Sequence, residues 1–192
     1  MTLTDDRRSP IVMPYRWTVD HYHRAVKAGI FEGQPIELLN GALIEMSPEG
    51  IPHAGLSSDA ADYLRSQLGS LVKVREAKPI TLPNDSEPEP DIAIVKPLGD
   101  LYKTERHPQV ADIFWVMEYA NTSLEKDLEL KDKIYAQAGI AEYWVVNLKT
   151  RELIIFRNPA RGEYQAKTTM TGGPVYPESF PAVALEVIKL VR

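Results

Sequence analysis

Ile113-Phe114-Trp115-Val116-Met117-Glu118-Tyr119-Ala120, then Leu124 to Gly139, then Tyr143-Trp144-Val145-Val146-Asn147-Leu148, is the stretch whose reading decides the fold. Its first part is apolar and aromatic almost throughout, the composition of a strand buried on both faces. The second part carries apolar residues at helical spacing. Thr122-Ser123-Leu124-Glu125 fits a capping box before it, and Gly139 is a natural C-terminal stop, so a helix is predicted from Ser123 to Ala138. The third part is a second compact strand, and Glu152 to Arg157 follows it across a Lys149-Thr150 turn.

Working upstream, Ile92 to Val95 is a short apolar strand behind a polar, proline-punctuated loop from Pro83 to Pro90. Leu56, Ala60, Leu64 and Leu68 step by four, which predicts an amphipathic helix, with a turn at Pro48 to Pro52 before it. Short strands are expected at Val72 to Glu76 and at Pro79 to Leu82. Asn40-Gly41 between two apolar runs is a strong hairpin signal. Thr18 can cap a first helix that carries Val19, Tyr22 and Val26, with Gly29 as its stop. Downstream, a charged loop fills Pro97 to Ala111, Glu163 to Met170 adds a strand, and Ala182 to Val191 fits a strand or a short helix. The expectation is an α/β fold, a mixed β-sheet flanked by helices, in a single domain over residues 15–192 behind a loose lead-in at 1–14.

Composition narrows the function. The 192 residues include no cysteine, which excludes a disulfide scaffold, a cysteine-based zinc site and a cysteine nucleophile. The longest apolar run, Ile113 to Met117, is far too short to cross a bilayer, and no signal-peptide segment opens the chain. A soluble cytoplasmic protein with no membrane partner is expected. Net charge is −5. Binders of nucleic acid usually carry a basic excess. Any such function here must rest on a local site, with metal ions covering the repulsion.

Three ionisable residues stand where the pattern asks for apolar ones. Glu118 continues the buried strand, where alternation sets it on the face of Phe114 and Val116. The bland alternative ends the strand at Met117 and lets Glu118 reach water. Asp91 opens the Ile92 strand directly after Pro90, a position also common for a turn aspartate. Lys131 is the most informative. On a wheel of about 100° per residue with Leu124 at zero, it falls near about 340°, between Ala138 and Tyr135. Asp127 lies beside it, and Glu125, Lys126, Glu129, Asp132 and Lys133 fall on the opposite side. An i, i+4 salt bridge explains an Asp127–Lys131 contact but not its place on the apolar stripe. Two carboxylates on neighbouring strands repel unless a cation sits between them. Oxygen ligands select a hard ion such as Mg²⁺ or Mn²⁺. With a nearby ammonium, that is the equipment of metal-assisted phosphodiester hydrolysis. By pattern alone Glu37 is an exposed strand residue, His53 precedes a helix, and His21 and His23, two apart, share no helix face.

These segments resemble a known family. Glu37 to Gly41, Pro90 to Val95, Val116 to Ser123, Lys131 to Tyr135 and Ala138 to Val146 are similar to the Uma-type bacterial restriction endonucleases, a branch of the PD-(D/E)XK nuclease superfamily. The resemblance implies a restriction-endonuclease-like fold and a Mg²⁺- or Mn²⁺-dependent deoxyribonuclease acting on DNA as a homodimer. It makes Asp91 and Glu118 metal-binding catalytic acids and Glu37 a further metal ligand. The motif lysine two positions after Glu118 is replaced by Ala120. Lys131 matches a lysine that has migrated to the following helix, with Asp127 and Tyr135 at recurrent positions behind the catalytic groups. Tyr119 offers its backbone carbonyl to the metal, and His53 is a substrate contact. Two alternatives stay open. One is a catalytically silent binding or regulatory protein, which the acidic net charge favours. The other is a glycosidase built on a carboxylate pair, against which the inward lysine argues.

Overall fold

The computed structural model describes residues 13–120 and 124–192, with side chains described outside 124–129. The lead-in up to residue 12, the capping box at Thr122 and Ser123, and the side chain of Asp127 lie outside the described residues. Helix α1 (Val19–Lys27) is capped by Thr18, whose hydroxyl accepts the His21 N–H. Strands β1 (Ile36–Leu39) and β2 (Ala42–Glu45) form the expected hairpin. Asn40 and Gly41 turn it with φ of 48° and 75°, the left-handed pair that suits such a turn. Gly41 is also needed for close approach, since a Cβ there would lie 3.1 Å from the Trp17 carbonyl oxygen.

Helix α2 (Ile51–Leu68) begins well upstream of Leu56. The turn expected at Pro48 to Pro52 is thus partly helical, because Pro52 sits in the first turn, where no N–H is required. His53 therefore lies within the helix and not before it. After α2 come β3 (Lys73–Glu76), β4 (Ile92–Val95), α3 (Leu101–Thr104), β5 (Ile113–Ala120) and α4 (Leu124–Ala138). They are followed by β6 (Glu142–Asn147), β7 (Glu152–Ala160), β8 (Glu163–Met170), β9 (Pro174–Val175), β10 (Leu185–Glu186) and α5 (Ile188–Val191). The C-terminal segment thus holds a short strand and a short helix. Pro79 to Leu82 is not a strand: Thr81 and Leu82 make only isolated bridges to Gln109 and Ser86. The flanking Pro79 and Pro83 have no N–H to give a ladder.

Strands β3 to β8 form one mixed sheet in the order β3-β4-β5-β6-β7-β8. Only β5 and β6 run parallel, and α4 supplies the crossover that a parallel pair needs. Alternation divides the core. Ile92, Ile94, Trp115, Met117, Trp144 and Val146 face α2 and α5. Ala93, Val95, Val116, Val145, Ile154 and Phe156 face α4. Phe114 breaks the pattern: Val95 pairs with Ile113 and Ile94 with Trp115, so Phe114 is the extra residue of a bulge. It packs edge-on against Phe180, with ring centres 4.9 Å apart.

Glu142 closes the far end of the sheet. It is fully buried and accepts Trp144 Nε1–H at 2.8 Å, the Glu178 N–H at 2.9 Å and the Arg157 guanidinium. Arg157→Ala removes the cation and leaves the carboxylate in place. It is expected to cost about 2–3 kcal/mol, the value of hydrogen bonds to a buried charge. A urea unfolding midpoint that falls with unchanged slope is the check.

Candidate active site

β5 runs unbroken through Glu118, so the carboxylate stays inside, 8% exposed, and the bland reading fails. Alternation turns it toward α4, where Lys131 and Tyr135 sit one turn apart on the buried stripe. Lys131 Nζ donates to Glu118 Oε1 at 2.9 Å, and Tyr135 Oη donates to the same oxygen at 2.8 Å. Among the described residues no hydrogen bond is made by Oε2. The helix wheel therefore placed Lys131 correctly.

Glu37 reaches the same lysine from the hairpin. Its Oε1 lies 3.8 Å from Lys131 Nζ, and its Oε2 accepts the Glu89 N–H at 3.3 Å. The pattern-only expectation of an exposed strand residue is wrong here. Glu37 and Leu38 are both buried, so β1 has no solvated face for alternation to reveal.

Asp91 sits at the mouth of β4. Its Oδ2 accepts the Tyr119 N–H at 2.6 Å and lies 2.9 Å from His53 Nε2. That nitrogen is buried, and the Asp91 carboxylate is its neighbour, acting on His53 through both hydrogen bonding and charge. Continuing the β4–β5 register from the Ile92–Met117 pair sets Pro90 opposite Tyr119. A residue's N–H and C=O face the same neighbouring strand in such a ladder. The Tyr119 carbonyl thus turns toward the Asp91 side, and Pro90 has no N–H to offer it.

Charge in this cluster is unbalanced. Burial pushes the Glu118 carboxyl up to about 7, with Lys131 opposing and Asp91 and Glu37 adding to the rise. Burial disfavours the Lys131 ammonium, yet Glu118, Glu37 and Asp91 outweigh it and hold the proton more tightly than usual. Burial likewise lowers His53, but Asp91 beside it turns the net shift upward. Glu37, Asp91 and Glu118 against Lys131 leave two negative charges when all four are ionised. A site of hard oxygen donors with that surplus fits a divalent cation such as Mg²⁺ or Mn²⁺.

Glu49 was missed in the sequence. With His53 and Asp91 it presents ligand atoms within 4.8 Å of one another. No local spacing rule marks it, because Glu49 precedes the extended Gly50 N-cap of α2 and only the fold brings it beside His53 and Asp91.

The fold is a mixed sheet flanked by helices, the restriction-endonuclease-like architecture. The chain belongs to the Uma2 family, described as "Putative restriction endonuclease", which matches residues 19–187. A crystal structure from Anabaena variabilis, titled a putative nuclease belonging to DUF820, shares the fold at a TM-score of 0.69. It is 14% identical in sequence, over 91% of this chain and 97% of that one. No curated protein matches the sequence. Among the described residues no helix is long and apolar enough to cross a membrane.

The surplus of negative charge predicts opposite responses in the metal-free protein. Lys131→Met strands a buried carboxylate and should lower stability by about 3 kcal/mol. Asp91→Asn keeps an acceptor for the Tyr119 N–H while removing a charge that repels Glu118, and should raise stability by about 1 kcal/mol. Thermal melting in EDTA measures both, and the sign difference is the check.

Proposed function

We propose that this chain is a Mg²⁺- or Mn²⁺-dependent endonuclease that hydrolyses DNA phosphodiester bonds. The observation that carries this reading is the convergence of Glu37, Asp91 and Glu118, from three separate elements, around the buried Lys131. Membership in a family described as restriction endonucleases supports DNA as the substrate. Glu37, Asp91 and Glu118 would hold the metal, with the Tyr119 carbonyl as a further ligand. When bound, the cation supplies charge neutralisation on the phosphodiester and a lower pKa for water.

The chain's own groups divide the remaining work. Lys131, kept protonated by its acid neighbours, would hydrogen-bond the attacking water or the charge that develops at phosphorus. Tyr135 fixes the Glu118 carboxylate from behind, so that Oε2 is left for the metal. Asp127 is assigned to orienting Lys131. His53, held beside Asp91 through its buried Nε2, would give a hydrogen bond to a phosphate oxygen. Two cuts on a duplex need two such sites, so a homodimer is the proposed working form. The acidic net charge of −5 is compatible because the substrate contact is local and cation-assisted.

The test is cleavage of unmodified plasmid and of single-stranded DNA in Mg²⁺, Mn²⁺ or EDTA, by wild type, Asp91→Ala and Lys131→Ala. Metal-dependent cleavage by wild type is expected. Asp91→Ala should lose both metal binding and cleavage. Lys131→Ala should still bind metal while its rate falls by roughly 10²–10³. Equal cleavage by all three would overturn the site. Wild type that neither cleaves nor binds metal would favour the catalytically silent binding protein.

A further inference from the structure

A second constellation lies beside α1, apart from Asp91 and Glu118. His23 Nε2 is 2.8 and 2.7 Å from the two oxygens of Glu87. His107 Nε2 is 3.9 Å from Glu87 Oε1. The two imidazole rings stand edge to face, with centres 6.1 Å apart. Each residue comes from a different part of the chain: His23 from α1, Glu87 from the loop before β4, His107 from the loop before β5. One ligand atom from each falls within 4.8 Å of the others.

The carboxylate at the centre is held in place. Glu87 is 3% exposed, its Oε2 accepts Thr81 Oγ1–H at 2.8 Å, and its N–H donates to the Leu38 carbonyl at 2.7 Å. Metal ligands typically have such outer partners. A His23–Glu87 ion pair accounts for two members of the group and leaves the third unexplained. His107 is brought against them with a buried Nδ1 that has no hydrogen-bond partner. Orphaned buried polar atoms are costly unless something else favours the position.

Two imidazoles and one carboxylate form a ligand set characteristic of Zn²⁺. Bonds of about 2.0–2.1 Å around a tetrahedral ion set ligand atoms about 3.4 Å apart. The observed separations of 2.7 and 3.9 Å lie on either side of that value, so small side-chain movements would close the site. Burial holds the His107 imidazole below its usual range despite Glu87, which keeps a ring lone pair available. Arg75 is the opposing cation near His107, but its guanidinium lies over the Tyr102 ring and donates to the Pro79 carbonyl. The surroundings are otherwise acidic: after burial, Glu87, Glu89 and Glu37 help push the Tyr22 hydroxyl up to about 12.

We propose that His23, Glu87 and His107 bind one Zn²⁺-class transition-metal ion, separate from the site around Lys131. The ion fastens α1 to the two loops that flank β4. Through Glu87 and Leu38 it also braces β1, the strand that carries Glu37. The binding does not depend on the nuclease reading.

The experiment strips the purified full chain of metal and titrates it with Zn²⁺, and separately with Co²⁺ as a spectroscopic probe. Wild type and Asp91→Asn are both expected to take up Zn²⁺ at this site, to show the visible Co²⁺ bands of a low-symmetry site, and to melt at higher temperature with Zn²⁺. His23→Ala and His107→Ala should each weaken this binding by roughly 100-fold and lose the thermal shift. His23 is 46% exposed in its side chain, and far-UV circular dichroism of each metal-free variant confirms that the fold is kept before titration. Wild type without Zn²⁺ uptake would overturn the proposal. So would His23→Ala and His107→Ala binding as wild type does, or loss of all Zn²⁺ binding in Asp91→Asn.

Discussion

The contact between Lys131 Nζ and Glu118 Oε1 is the point on which the rest of the structure turns. It joins the crossover helix to the central strand inside a water-poor layer, where neither charge could stand alone. Tyr135 adds a donor one turn along and fixes the carboxylate's orientation. The hairpin then brings Glu37 to the same ammonium, so the small β1–β2 unit is tied to the main sheet by charge as well as by packing. A cluster with more acids than bases is a poor way to stabilise a fold. Burial, Asp91 and Glu37 push the Glu118 carboxyl up, and the divalent cation proposed above would relieve that surplus.

Much of this was legible because it is local and periodic. The aromatic run of β5, the apolar stripe of α4 and the Asn40-Gly41 turn each state their conformation within a few residues. Lys131 could be found because a helix wheel needs only the helix itself. Glu118 needed one further decision, whether the strand ended before it, and desolvation cost could not settle that without knowing that Lys131 and Tyr135 stood opposite. Phe114 shows the limit of alternation. A bulge displaces one residue without leaving a clear mark in the pattern, and the face assigned to it was wrong.

What stayed hidden depends on contacts far apart in sequence. Glu37 looked solvated because period-two reasoning assumes that one face of a strand meets water, and β1 is covered on both. Glu49 fell outside consideration because it stands before the Gly50 N-cap of α2 and meets Asp91 only through the fold. His23 was weighed against His21, its neighbour on α1, whereas its partners are Glu87 and His107, more than sixty residues downstream. Local spacing rules find ligand pairs on one element and are blind to sites assembled from three.

The absence of a lysine at position 120 has a geometric account. Ala120 follows Glu118 by two residues and so faces the same way, toward α4. It is buried against the layer that contains Ile134, Tyr135 and Ala138. A lysine there would have to thread its stem through that packed layer to bring its ammonium to the carboxylates. The small methyl of Ala120 shares that layer, and α4 brings the ammonium to Glu118 at Lys131. On the proposed reading, helix and strand exchange responsibility for the cation while its contact with Glu118 is kept. The buried tyrosine one turn beyond Lys131 belongs to the same exchange, since a helix that carries the base can also carry the group that holds the acid in place.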